Sequence, residues 1–261
     1  MPDRHRLRAT FEEVPELYDR ARPTYPPALF DDLVALARLP ERGRVLEIGP
    51  GTGQATSALA ERGFEITAVE LGERLAGLAR RRLADLPNVE VVHAPFETWE
   101  TEARFDAVVA FTAFHWIDPD LRYAKPARLL RAGGALAFAG QQHVLPAGGD
   151  PFWTEVQEDY RAIDPDSDDG PPPRPDEIPD AAAEIEASGL FAVVAVRRHV
   201  WDVTYTADEY IAVLDTYSGH RTLPDERRRE LYERIRRRIE ARPERTVTKT
   251  HLSLLHVARR L

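Results

Sequence analysis

The sequence predicts an α/β fold: a mostly parallel seven-stranded sheet with helices on both faces. Five apolar or β-branched runs of strand length occur at 44–49, 65–70, 89–93, 105–111 and 135–140. Amphipathic stretches of helical length lie between them, notably at 54–62, 72–84 and 120–131. Two more strand-like runs, 190–200 and 246–260, follow a stretch of different character. Strand–helix–strand alternation implies parallel pairing, because a crossover helix is what returns the chain to the same end of the sheet.

Residues 11–38 read as two short helical pieces separated by Pro23, Pro26 and Pro27. In the second, Leu29, Leu33, Leu36 and Ala37 recur at helical spacing. Past the fifth strand, 151–162 is helical. Residues 164–180 carry six prolines among many acidic side chains and no apolar periodicity, so they form a loop, either a solvated connector or an active-site lid. Residues 206–216 and 225–241 are helices. The second is rich in arginine, with Leu231, Ile235 and Ile239 as its apolar stripe, which makes its charges a solvated face.

Composition narrows the function. The 261 residues suffice for one α/β domain with a modest cap. There is no cysteine, which excludes disulfides, iron–sulfur clusters and thiolate zinc sites. The eight histidines include no pair at a ligand spacing such as HExxH, so no metal is expected. The net charge of −9 argues against a long nucleic-acid groove, which needs a basic field. The N-terminus MPDRHRLRATFEE lacks the apolar segment of a secretory signal, and no apolar run approaches the roughly 18 residues of a membrane span. A cytoplasmic protein without a nucleic-acid or membrane partner is expected. Lysine occurs only at 125 and 249; the excess of arginine reads as genome composition rather than function.

The strongest motif is Val45-Leu46-Glu47-Ile48-Gly49-Pro50-Gly51-Thr52-Gly53, at the passage from a strand to a helix. Its glycines let the backbone turn tightly and approach a ligand, and amides at the helix start can face polar ligand atoms. A glycine-rich turn of this kind could also be a dinucleotide fingerprint. Here, however, Gln54 stands where GxGxxG has its last glycine. The Glu47 carboxylate would repel a pyrophosphate but suits a cationic ammonium.

ExGxGxG at 47–53 resembles motif I of the class I methyltransferases that use S-adenosylmethionine (SAM). Glu70, 17 residues after Gly53, stands where that family has its ribose-binding acid. FDAVVAFTAFHWIDP (105–119) and LLRAGGALAFAG (129–140) resemble the family's fourth strand with its following segment, and its helix, Gly-Gly turn and fifth strand. The segment Tyr18-Asp19 with Arg22-Pro23-Thr24-Tyr25-Pro26, and Phe114 to Pro119, are similar to the methyltransferase type 11 branch near trans-aconitate and related small-molecule enzymes.

The resemblance implies a Rossmann-like class I methyltransferase fold formed by one domain. Residues 1–40 would be a helical N-terminal cap, 41–140 the SAM-binding core, and 141–261 a substrate-side insertion with the last strands. It implies methyl transfer from SAM to a small-molecule acceptor by a monomer or homodimer. A SAM-binding protein without catalysis and a nicotinamide-dependent oxidoreductase are the alternatives.

For the cofactor it points to Glu47, Gly49, Pro50, Gly51, Thr52, Gly53, Glu70, Leu71, Phe111, Thr112 and Trp116, with Tyr18, Arg22 and Tyr25 from the cap. Pro95 departs from the family, standing where an acid often receives the adenine amino group, so recognition is expected to fall to Pro95, Phe96 and Glu97. His115, after the fourth strand, is the general-base candidate, or else packs beside the cofactor. His143, Tyr217, His220 and Arg221 are the substrate candidates, and Arg221 would serve an acidic acceptor.

Overall fold

Strand β1 (Arg44–Ile48) is buried beyond its first residue, and β4 (Phe105–Phe111) is buried throughout. Such strands must be covered on both faces. The computed structural model, which describes residues 20–165 and 170–261, sets them at the centre of a seven-stranded sheet. The others are β2 (Glu65–Glu70), β3 (Val89–His93), β5 (Leu130–Val144), β6 (Phe191–Thr206) and β7 (Thr246–Arg260). Their order is β3-β2-β1-β4-β5-β7-β6, and β7 points opposite to the other six. Chain order reverses between β1 and β4, so a crevice opens at the carboxyl ends of those two strands.

Alternating residues feed two cores. On one face Val45, Ile66 and Ala107 pack with Leu29, Leu33 and Leu59 from α1 (Pro27–Ala37) and α2 (Gln54–Ala60). On the other, Leu46, Ile48 and Val108 pack with Leu129 of α4 (Ala124–Leu129) and Ile185 of α7 (Ala182–Ala187). Helix α3 (Glu73–Arg82) lies between β2 and β3 in sequence and buries Leu75, Ala76 and Ala79.

Several expectations change. Leu130 already pairs with Phe105, and Ala135 with Ala107, so residues 131–134 form an irregularity inside β5, with Gly133 at φ 70°. Residues 130 and 131 therefore do not continue the helix. Strand β5 runs to Val144 and β6 to Thr206, well past the parallel part of the sheet. Against this extension lies a third core. It joins α5 (Phe152–Glu155), α6 (Gln157–Ile163), α8 (Ala207–Leu214) and α10 (Asp225–Glu240) through Trp153, Tyr210, Leu231 and Ile235. A short helix α9 (Ser218–Arg221) precedes α10.

The proline-rich segment is no free connector over its described part. Ile178 is buried against Val144, Leu252 and Leu254, and the Arg198 guanidinium donates to the carbonyls of Pro175 (2.7 Å) and Ile178 (2.8 Å). Of the first expected helical piece, residues 20 and 21 are helical, and the part up to position 19, with Tyr18, lies outside the described residues. Among the described residues, no helix is long and apolar enough to cross a membrane.

Candidate active site

The turn after β1 uses backbone conformations that side chains disfavour. Gly49, Gly51 and Gly53 have φ of 66°, 60° and 86°. A Cβ on Gly49 would lie 2.7 Å from the Ala113 Cβ, and one on Gly53 would lie 2.9 Å from Leu83 Cδ1. One glycine thus lets the turn meet the segment after β4. The other lets α2 close on the end of α3. Glu70 ties the turn down: its Oε2 accepts from the Gly51 amide (2.9 Å) and its Oε1 from the Gly72 amide (2.8 Å). It is buried, so it holds the loop as well as facing the crevice.

Below the turn sits Glu47, 0% exposed, with neither carboxylate oxygen hydrogen-bonded among the described residues. Burial pushes its pKa up to about 7; the nearby Thr56 hydroxyl opposes this and the Glu70 charge adds to it. A buried orphan carboxylate is costly, and a cation placed beside it would remove the cost.

Glu47 belongs to the lining of a cavity of about 600 Å³ in the crevice, a size that suits a drug-sized ligand. Glu70, Glu73 and Glu97 join it in the wall, which makes the cavity acidic. Opposite stands Thr112, a β-branched residue at φ 53°, whose hydroxyl is hydrogen-bonded to that of Tyr25. Tyr25 packs on Phe111 with ring centroids 5.3 Å apart. His115 and Trp116 form a 3₁₀ turn (Phe114–Trp116) straight after β4, their rings 4.8 Å apart, with His115 exposed. On the β3 side Phe96 is buried, and Lys125, 3% exposed, lies over its ring at 5.2 Å. The Lys125 ammonium donates to the carbonyls of Glu97 and Trp99, which fixes this loop.

A second chamber of about 300 Å³ shares Arg22, Pro23 and Gln141 with the first. Its floor is the extension of β5 and β7, where His143 pairs with His251 and Lys249 is the next residue on the same face. Tyr160 of α6, Tyr210 of α8, Tyr217 and His220 complete the wall. Burial, aided by Lys249, pushes His143 down to about 2 and His251 down to about 3, so both imidazoles are neutral. Burial would raise the Tyr217 phenol, but Lys249 and Arg22 outweigh it and its pKa is lowered.

Most residues expected at the cofactor site line the first cavity: Glu47, Gly49, Pro50, Gly51, Thr52, Glu70, Leu71, Phe96, Glu97, Phe111, Thr112, Trp116, Arg22 and Tyr25, with His115. Gly53 and Pro95 do not. Gly53 is the left-handed residue before α2, and its want of a Cβ serves helix packing. Pro95 accepts from the amide of Trp99 (2.9 Å) in the loop that presents Phe96. His143, Tyr217 and His220 line the second chamber, whereas Arg221 lines neither. Sequence reasoning missed Gln141, Lys249 and His251. Period-2 alternation along 246–260 could have put Lys249 and His251 on one face, but nothing in the chain told which face held a chamber.

Comparison with known proteins agrees with this geometry. Residues 45–134 match the model of a family described as a methyltransferase domain. An uncharacterised methyltransferase of Mycobacterium tuberculosis is 36% identical over 121 residues, 46% of this chain and 47% of that protein. A ribosomal RNA small subunit methyltransferase A of a Synechococcus strain is 42% identical over 74 residues, 27% of this chain and 26% of the relative. The chain thus matches about half the length, or less, of these curated relatives. Among solved structures, a candidate type II methyltransferase from Anaeromyxobacter dehalogenans superposes with a TM-score of 0.64 at 26% identity, covering 91% of this chain and 97% of that one. Fold and site together define a Rossmann-like class I domain. Residues 45–134 are similar to a methyltransferase domain, and the fold around them is that of the class I SAM-dependent methyltransferases.

Proposed function

We propose that the protein transfers the methyl group of SAM to a small-molecule acceptor, working as one domain with 1–40 as cap, 41–140 as cofactor core and 141–261 as acceptor side. The observation that carries this reading is Glu47: a fully buried carboxylate without a hydrogen-bond partner among the described residues, under a three-glycine turn, in an acidic cavity. The family's cofactor fits, being a cation with an ammonium group. When bound, its sulfonium supplies an activated methyl carbon, so the protein's task is to orient donor and acceptor. Glu47 would receive the ammonium, Glu70 the ribose, and Phe96 with Glu97 the adenine. Tyr25, Thr112 and Trp116 would wall the reacting end, with Arg22 above it.

The type 11 branch and its small acceptors are favoured over RNA by the net charge of −9 and by the small size of the second chamber. The match to the ribosomal RNA enzyme spans only 74 residues.

Calorimetry with SAM, S-adenosylhomocysteine and NAD tests the cofactor: the two sulfur ligands are expected to bind and NAD is not, and the reverse would overturn the reading. His115 is the proposed general base. His115→Ala should cut turnover by about 10²–10⁴-fold with SAM affinity nearly intact, the loss shrinking as pH rises. Weaker SAM binding with full turnover would instead make His115 a packing residue.

A further inference from the structure

We infer that the second chamber takes an acceptor bearing a carboxylate or similarly compact anion, which Lys249 and Tyr217 hold. This rests on the first cavity being the SAM site. Lys249 is 2% exposed. Its ammonium donates to the Tyr217 hydroxyl at 2.7 Å and lies 5.1 Å from the Tyr217 ring centre, 5.7 Å from that of Trp153 and 5.8 Å from that of Tyr210. Aromatic faces attract a cation but do not neutralise it. An ammonium has three protons to donate, and only one finds an oxygen among the described residues. The chain's other lysine shows what a structural partner set looks like: Lys125, equally buried, donates to two backbone carbonyls and reaches Glu100. Among the described residues, Lys249 has neither a carbonyl nor a carboxylate.

The charges of the two spaces differ in the same sense. Among the described residues, the first cavity has four carboxylates in its wall, whereas no Asp or Glu lines the second. Instead the Arg22 guanidinium stands 4.3 Å from the centre of the Tyr217 ring, so the charges on the chamber's described wall are cationic. The two neutral histidines each keep a buried Nε2 without a hydrogen-bond partner, free to meet a polar ligand. A cationic donor in an acidic cavity and an anionic acceptor in a basic chamber each compensate a buried charge that the empty protein leaves alone. With the anion at Lys249, the rest of the acceptor points back past Gln141 and Arg22, which with Pro23 are common to both spaces, toward the donor. A chamber of about 300 Å³ selects a small acid.

Equilibrium dialysis of the full chain, saturated with S-adenosylhomocysteine, against a library of small carboxylic acids paired with their primary amides tests this. Acids are expected to be retained and amides not. Lys249→Met should lower acid retention by at least about tenfold, while Lys249→Arg preserves part of it. Binding of S-adenosylhomocysteine to each variant serves as the fold control. Should Lys249→Met fail to fold, Tyr217→Phe replaces it, and it should weaken acids without affecting amides. Acids and amides retained alike, no acid retained at all, or retention indifferent to the substitution that folds would overturn the inference. Acids retained by a protein that does not bind S-adenosylhomocysteine would fault the cofactor reading instead.

Discussion

Glu47 shows how one carboxylate can report on its ligand. Its pKa lies near 7 because burial penalises the charge. The folded chain therefore keeps a proton that the unfolded chain has lost, and the stability of the empty protein falls as pH rises from 4.5 through about 7. A ligand ammonium needs the ionised form. Affinity for S-adenosylhomocysteine should thus drop by up to about tenfold per pH unit below 7, with proton release on binding. Glu47→Gln should flatten that slope and weaken binding at neutral pH. Calorimetry over roughly pH 5–8 in buffers of different ionisation enthalpy measures both. A slope unchanged in the variant would show that another group takes the cation. Glu70 is a different kind of acid. Two backbone amides already satisfy it, so Glu70→Gln is the fair test of ribose binding, and Glu70→Ala would also loosen the turn.

At the scale of elements, the strand–turn–helix unit separates two costs of replacing glycine. Gly49 and Gly51 both have positive φ, but only at Gly49 would a Cβ meet another atom, Ala113 Cβ at 2.7 Å. Gly51→Ala should cost about 1–2 kcal/mol, the price of the left-handed backbone. Gly49→Ala adds overpacking and should cost about 2–5 kcal/mol in all, with the segment after β4 displaced. Urea unfolding of the two variants compares them. Equal losses would mean that Ala113 moves aside freely. Because Ala113 precedes His115 and Trp116, Gly49→Ala should also weaken cofactor binding beyond its effect on stability.

Across the whole molecule, the sheet's parallel half presents an acidic cavity and its antiparallel extension a basic chamber, and Arg22 and Gln141 line both. Filling the first should act locally. S-adenosylhomocysteine at a hundredfold excess over its Kd should add about 2.7 kcal/mol, a Tm rise of roughly 5–10 °C. Hydrogen exchange should slow at the β1–α2 turn and around 111–117, with little change in α10, none of whose residues lines the first cavity. Protection centred on α10 would place the ligand in the wrong space. The proline-rich segment is not expected to respond, because none of its described residues lines either cavity.

Local order in the chain determined the parallel core and the cofactor half of the site. Alternating apolar runs can be buried only between helices, and Glu47 with its three glycines is a contiguous unit whose geometry is set by a strand, a turn and a helix start. That is why β1 to β4 were legible to within a residue or so, and why most of the first cavity was legible too. Three matters needed the fold. The proline-rich segment looked unpacked until Ile178 met Val144 and Leu252 across the sheet. Gly53 and Arg221 looked like site residues until packing sent one against Leu83 and the other outside both cavities. Nothing in the sequence singled out Lys249 on the last strand. It became the buried cation of a chamber only because β7 runs antiparallel beside an overlong β5, bringing residue 249 to Arg22 and Tyr217. A site built from one turn is written in neighbouring residues. A site built from strands, helices and cap far apart in sequence exists only after the long-range pairing that joins them.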